Sequence, residues 1–193
     1  MSDKIITISR QYGSGGREIG ARLAKRLDIP FYDKEIIILA AKQSGISDDF
    51  FNHPEQGDYL FRNFFSGDFV VPSLNDKIYL AQCAVIQALA AKGPCVIVGR
   101  GAGSVLKKIA PLLNVFLYAD KELRARRTIE EYGEESNQIK ERMDSIDKKR
   151  AAYFKFYAGI MGRQMENYHL CIDSGSLGIE NTVTLIENAY LMK

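Results

Sequence analysis

Residues Ile5–Leu27, IITISRQYGSGGREIGARLAKRL, decide the fold. Ile5, Ile6, Thr7 and Ile8 form an apolar, mostly β-branched run, the pattern of a strand buried on both faces. Ser9 to Gly16 is polar and flexible and ends in Gly13-Ser14-Gly15-Gly16. From Arg17 the period turns helical: Ile19, Leu23 and Leu27 recur on one face, with Arg22, Lys25 and Arg26 turned elsewhere. Glycines let a backbone turn sharply and bring its N–H groups close to a ligand. The helix that follows presents unpaired N–H groups and the positive end of its dipole. Strand, glycine loop and helix together make an anion cradle, most often for phosphate. The other reading is a tight turn that holds nothing, and this stretch alone leaves both open.

Length and composition bound the rest. The 193 residues suit one domain, 1–193, and a 46% hydrophobic content suffices for a sizeable core. A net charge of +2 is too small to argue for nucleic acid or a membrane surface as partner. No apolar run reaches the length of a membrane span, and the polar start does not read as a signal peptide. Cys83, Cys95 and Cys171 lack metal-site spacing, and the latter two fall in expected strands as buried thiols. An odd number of unpaired cysteines predicts a reducing, cytoplasmic setting.

Strands are expected at 30–33, 95–98, 114–118 and 168–172, and helices at 34–43, 77–92, 105–110, 120–132, 137–158 and 179–192. Between them, 44–76 is rich in glycine, proline and phenylalanine, and reads either as a small substrate lobe, a dimer contact or an irregular insertion with its own mini-core. Strands alternating with helices predict an α/β fold with a parallel sheet flanked by helices on both faces. Ligands of such sheets bind beyond the carboxyl ends of the strands. The glycine loop, Asp33, Gly99-Arg100, Ala119-Asp120 and Asp173 all fall there.

Arg100 sits between two glycines, which leave its guanidinium room to grip phosphate in a bidentate fork. A structural pairing with an acid such as Asp33 is the other reading. Arg124 and Arg127 share one helix face, and Asp147 and Arg150 share another. Charge runs of this kind are most often solvated surface. Two arginine-bearing helices joined at Gly133 could also close over a polyphosphate and exclude water. His53 and His169 are isolated, so no nucleophile–base pair stands out. Chemistry that relies on positioning and electrostatics fits that absence.

Taken in order, ITISRQYGSGGREIGARLAKRL, PFYDKEII, VIVGRGAG, FLYADKELRARR and IKERMDSIDKKRAAYF resemble the cytidylate kinase-like family of P-loop nucleoside monophosphate kinases. The resemblance implies a three-layer P-loop NTPase fold with a five-stranded parallel sheet, a small acceptor lobe over 44–76 and a helical lid over 120–158. It implies transfer of the γ-phosphoryl group of ATP, with Mg2+, to a nucleoside monophosphate, by default CMP or dCMP. Carried over by position, Gly13, Ser14, Gly15, Gly16, Arg17 and Glu18 form the phosphate loop. Asp33, Arg100, Asp147 and Arg150 face the acceptor, and Arg124 and Arg127 belong to the lid. The chain departs from the ordinary GxxxxGK[ST] loop. Arg10 stands at its first glycine, Gly16 at its lysine, and Arg17-Glu18 where small and hydroxyl residues are usual. Arg17 is then the candidate to restore the lysine's charge in catalysis, and Glu18 the candidate magnesium ligand.

Two other functions are weighed beside the kinase. One is a nucleotide sensor that keeps the fold without the transfer. The other is a dinucleotide oxidoreductase, disfavoured because GSGGREIG does not match GxGxxG in register. Nucleotides are the expected partners, with a homodimer through the aromatic segment 50–69 as a further expectation.

Overall fold

The computed structural model describes residues 4–33, 74–135, 137–158 and 165–192. The helix expected at 34–43, nearly all of the lobe 44–76 and the aromatic segment 50–69 lie outside the described residues. Strand β1 (Ile5–Arg10) runs into the glycine loop and helix α1 (Gly16–Leu27). Strand β2 (Phe31–Tyr32), helix α2 (Leu74–Ala90), strand β3 (Val96–Val98) and the short helix α3 (Ala102–Leu106) follow. Then come β4 (Leu112–Tyr118), α4 (Lys121–Glu130), α5 (Ile139–Ala158), β5 (Leu170–Asp173) and α6 (Ser174–Leu191).

The sheet has five strands in the order β2-β3-β1-β4-β5, and every pairing is parallel. β1 is central, with Ile8 opposite Val98 on one side and Val115 on the other. Its continuous apolar run has a physical cause. Ile6 and Ile8 point into a core shared with Ile19 and Leu23 of α1 and Val183 and Ile186 of α6. Ile5 points the other way, towards Val85, Ile86 and Leu89 of α2 and Leu106 of α3. Both faces are covered, so the strand is apolar on both apart from the buried hydroxyl residues Thr7 and Ser9.

Several boundaries differ from the sequence reading by a few residues, three of them for a plain local reason. Helix α3 begins at Ala102 rather than 105 because Gly99, Arg100 and Gly101 all adopt positive φ and turn the chain straight out of β3. Strand β4 begins at Leu112 rather than 114 because Ile5 and Ile6 extend the ladder to Leu112 and Leu113. Helix α6 begins at Ser174, where Asp173 caps Gly175 and Ser176, and kinks at Gly178 before the long segment expected from 179.

One polar clasp crosses the core. The buried Thr7 hydroxyl donates to Asn114 Oδ1 at 2.8 Å, and Asn114 Nδ2 donates to the Asn167 carbonyl at 2.7 Å. His169 completes it: its backbone N–H donates to the Asn114 carbonyl, and its Nδ1 accepts from the Asn114 N–H at 3.0 Å. The histidine thus registers the start of β5 against β4. A buried acceptor that loses its donor costs about 1–3 kcal/mol. Thr7→Val, although isosteric and more apolar, is therefore expected to lower the unfolding free energy by about 1–2 kcal/mol; urea denaturation measures it.

Candidate functional site

The carboxyl ends of β1, β2, β3 and β4 open onto one basin. The glycine loop leaves β1 with Gly13 at φ 77° and Gly15 at φ 79°, conformations that side-chain-bearing residues resist. Gly15 is the N-cap of α1, so the first amides of the helix face outward from the loop. Ser14 is fully buried; its hydroxyl donates to the Gln11 carbonyl, and its own carbonyl accepts from Ser174 at 2.7 Å. That serine pins the loop and offers its hydroxyl to the protein itself.

Helix α4 lies directly on the loop. A side chain at Gly13 would collide with the Arg124 carbonyl at 2.7 Å and Thr128 Oγ1 at 2.8 Å. Arg127 Nη1 donates to the Gly13 carbonyl at 3.3 Å and flanks Gly15, while its Nε lies 3.5 Å from Glu131. The phenol of Tyr132 is raised above its usual pKa, first by burial, and a hydrogen bond with the Gly15 backbone works against that rise.

Arg124 is committed differently. It is 5% exposed; its Nε donates to the Ala119 carbonyl, and its Nη1 donates to the Tyr12 carbonyl and to Asp147 Oδ2, each at 3.0 Å. Asp147, buried on α5, accepts from the Tyr12 N–H with its other oxygen at 2.8 Å. Helices α4 and α5 are thereby tied to the residue preceding the glycines. Arg150, one turn on, lies 3.8 Å from Asp147, donates to the Arg10 carbonyl at 3.1 Å and covers the Tyr12 ring. The Tyr12 hydroxyl meets Glu134, and burial followed by that contact raises its pKa to about 12.

On the opposite side of the basin, Asp33 directly follows β2, 8% exposed. Arg17 Nε contacts it at 3.0 Å and Arg10 Nη2 at 3.7 Å. Arg17 itself is largely exposed, at 62% of its side chain. Arg100, held in a left-handed conformation at φ 56°, has no ion-pair partner among the described residues. Burial lowers its pKa, Tyr153 and Asp33 raise it, and Arg150 lowers it again. A left-handed non-glycine residue stores about 1–3 kcal/mol of strain and is found preferentially where a ligand is gripped.

The structure thus brings together Asp33, Arg100, Asp147 and Arg150, and places Gly13, Ser14, Gly15, Gly16 and Arg127 beside them. Glu18 stands apart, paired with Arg22 at 2.6 Å. Among the described residues no group of three or more acidic, histidine or cysteine side chains could hold a metal ion. A magnesium ion here would rely mainly on phosphate oxygens and water, as is common for this cation, and Glu18 would have to leave Arg22 to join it. The cradle suits a nucleotide polyphosphate better: left-handed glycines, outward amides and arginine on two sides. Sequence reasoning overlooked Arg10 and Tyr12 as site residues. Arg10's signal was its place as the last residue of a buried strand at the ligand edge.

The Asp147 clasp has a measurable consequence. Removing one partner of a buried charge pair costs about 3–5 kcal/mol. Asp147→Ala is expected to lower stability by about 3 kcal/mol, and Arg124→Ala to cost much less in that background than alone. Urea unfolding of the two single variants and the double variant checks both.

Residues 5–176 match the cytidylate kinase-like family. Among curated proteins nothing matches the chain. A crystal structure of an uncharacterized protein from Eubacterium ventriosum is similar over 98% of this chain and 99% of its own, at 24% identity and a TM-score of 0.74. Shikimate kinase from Acinetobacter baumannii, in complex with shikimate, is similar over 99% and 94% at 15% identity and a TM-score of 0.57. A gluconokinase from Sinorhizobium meliloti is similar over 97% and 96%, also at 15% identity and a TM-score of 0.57. At these identities the likeness is one of fold, the three-layer α/β fold of P-loop kinases.

Proposed function

The chain belongs to the cytidylate kinase-like family, and on that premise we propose that it transfers a phosphoryl group from ATP to a small anionic acceptor. A nucleoside monophosphate, CMP or dCMP by default, is the first acceptor to try. The observation that carries this reading is the convergence of Arg100 and Arg150 with Asp33 at the mouth of a glycine loop capped by Arg127.

ATP, when bound, supplies the γ-phosphoryl group and a good leaving group. The amides around Gly13–Gly16 hold its phosphates, and the α1 dipole favours their charge. Arg127 reaches the same loop from α4 and neutralises charge as it spreads over the transferring group. Arg100 and Arg150 orient the acceptor's anionic group, and Asp33 accepts a hydrogen bond from its hydroxyl. Arg17 closes the rim between α1 and Asp33. Arg124 acts through Asp147 and Tyr12, as a strut that keeps the lid helices registered on the loop. Water exclusion follows if α4 and α5 shut down on the cradle. A homodimer through 50–69 is retained as part of this reading.

The alternative is a nucleotide sensor without transfer, favoured by Gly16 at the position of the usual loop lysine. An ADP-release assay across nucleoside monophosphates and small carboxylate and hydroxyl acceptors, run beside calorimetry with ATP, separates the two. Turnover with one acceptor supports the kinase; tight binding without turnover supports the sensor. No membrane role is proposed, and no helix among the described residues is long and apolar enough to cross a bilayer.

A charge-assisted hydrogen bond to phosphate contributes about 1.5–3 kcal/mol, and 1.36 kcal/mol corresponds to about tenfold in rate. Arg100→Ala and Arg127→Ala are each expected to lower turnover by about tenfold or more while unfolding remains cooperative. Wild-type rates in both would remove these residues from the site.

A further inference from the structure

The loop carries a second departure that its sequence alone does not interpret. A Cβ built on Gly16 would lie 2.8 Å from Arg10 Cγ and 2.9 Å from Arg10 Cβ. The stem of Arg10 therefore fills the volume that a side chain at position 16 would need first. An ordinary loop has the opposite arrangement, with glycine at the strand end and lysine at the helix start. Here the two positions have exchanged roles, and each substitution explains the other. A lysine at 16 would have to displace the Arg10 stem, and glycine at 16 leaves room for the arginine.

The course of the side chain gives the exchange a direction. Beyond Gly16 the Arg10 guanidinium runs across Gly99, where any Cβ would strike its Nη1, and ends 3.7 Å from Asp33. It arrives between the glycine loop and the residues that face the acceptor. Arg100 and Arg150 share that space, and the Arg150 Nη1 bonds the Arg10 carbonyl. Burial, and then the charge of Arg150, pull the Arg10 pKa down to about 9, with Asp33 opposing. A guanidinium this far desolvated among like charges gains most from a multiply charged anion.

We propose that Arg10 supplies, from the end of β1, the cation that phosphate loops ordinarily place at the start of the helix, and that its guanidinium holds the phosphoryl group between ATP and the acceptor. This rests on the phosphoryl-transfer reading and names the residue that binds the group in flight. Arg17 is the competing source of charge, but it lies on the exposed rim and engages Asp33 from outside.

The test is calorimetry with AMP-PNP and with ADP, which lacks the terminal group, alongside circular dichroism. Arg10→Ala is expected to weaken AMP-PNP binding about tenfold or more and ADP binding less. The decisive variant is the exchange Arg10→Gly with Gly16→Lys, which restores the first glycine and the lysine of the ordinary loop. It is expected to bind AMP-PNP within about threefold of wild type, whereas Arg10→Gly alone does not. Unchanged AMP-PNP affinity in folded Arg10→Ala overturns the inference. So does a folded exchange variant that binds no better than Arg10→Gly, or an Arg17→Ala variant that accounts for the whole loss while Arg10→Ala is silent. Wild-type protein that binds AMP-PNP but transfers to no acceptor refutes the kinase while leaving Arg10 as the loop cation. Wild-type protein that does not bind AMP-PNP refutes both.

Discussion

Two buried carboxylates, Asp33 and Asp147, make the rest of this site possible. Each sits near the carboxyl edge of the sheet and each faces more than one arginine: Arg10 and Arg17 for the first, Arg124 and Arg150 for the second. Arg100 adds further positive charge without an ion-pair partner among the described residues. Burying guanidinium groups side by side is unfavourable unless carboxylates or a ligand offset the repulsion. Here the carboxylates offset part of it. The remainder is a basin of positive potential aimed at the glycine loop, the electrostatic form of a site for a phosphorylated ligand.

The two acids divide the work. Asp147 is structural in its contacts: it accepts from the Tyr12 N–H and from Arg124, which in turn holds the Tyr12 and Ala119 carbonyls. This network joins β1, β4, α4 and α5 and brings Arg127 over Gly13. Asp33 lies on the other side, and its arginines come from the end of β1 and from α1. The network thus holds α4, α5 and Arg127 against the loop from one side, while Asp33 is engaged from the other.

Most of the architecture was legible in the chain because it follows from local pattern. The apolar run at Ile5–Ile8, the glycines after it and the helical period from Arg17 announce a buried strand, a loop and a helix, and β1 and α1 lie there. The shared faces of Asp147 with Arg150, and of Arg124 with Arg127, follow from helical spacing. Boundaries were less legible where tertiary contacts set them, as at Leu112, which is drawn into β4 by pairing with Ile5. The roles of the arginines were least legible. Arg124 and Arg127 look alike in sequence, yet one is a buried strut and the other reaches the loop. Arg17 stands next to the missing lysine in the chain, but Arg10 fills its space.

The sequence by itself determined the parallel α/β sheet, the glycine loop at the head of α1 and the strand ends where chemistry collects. Hydrophobic period and glycine placement act over a few residues and need no knowledge of the partners. Only the tertiary structure decided which arginine faces which carboxylate, and that the volume above Gly16 belongs to Arg10. Those outcomes depend on groups that only the folded basin brings together, among them the Tyr12 N–H and the Asp147 carboxylate at a separation of 135. Packing and charge balance in the folded basin, rather than position along the chain, assign each of them its role.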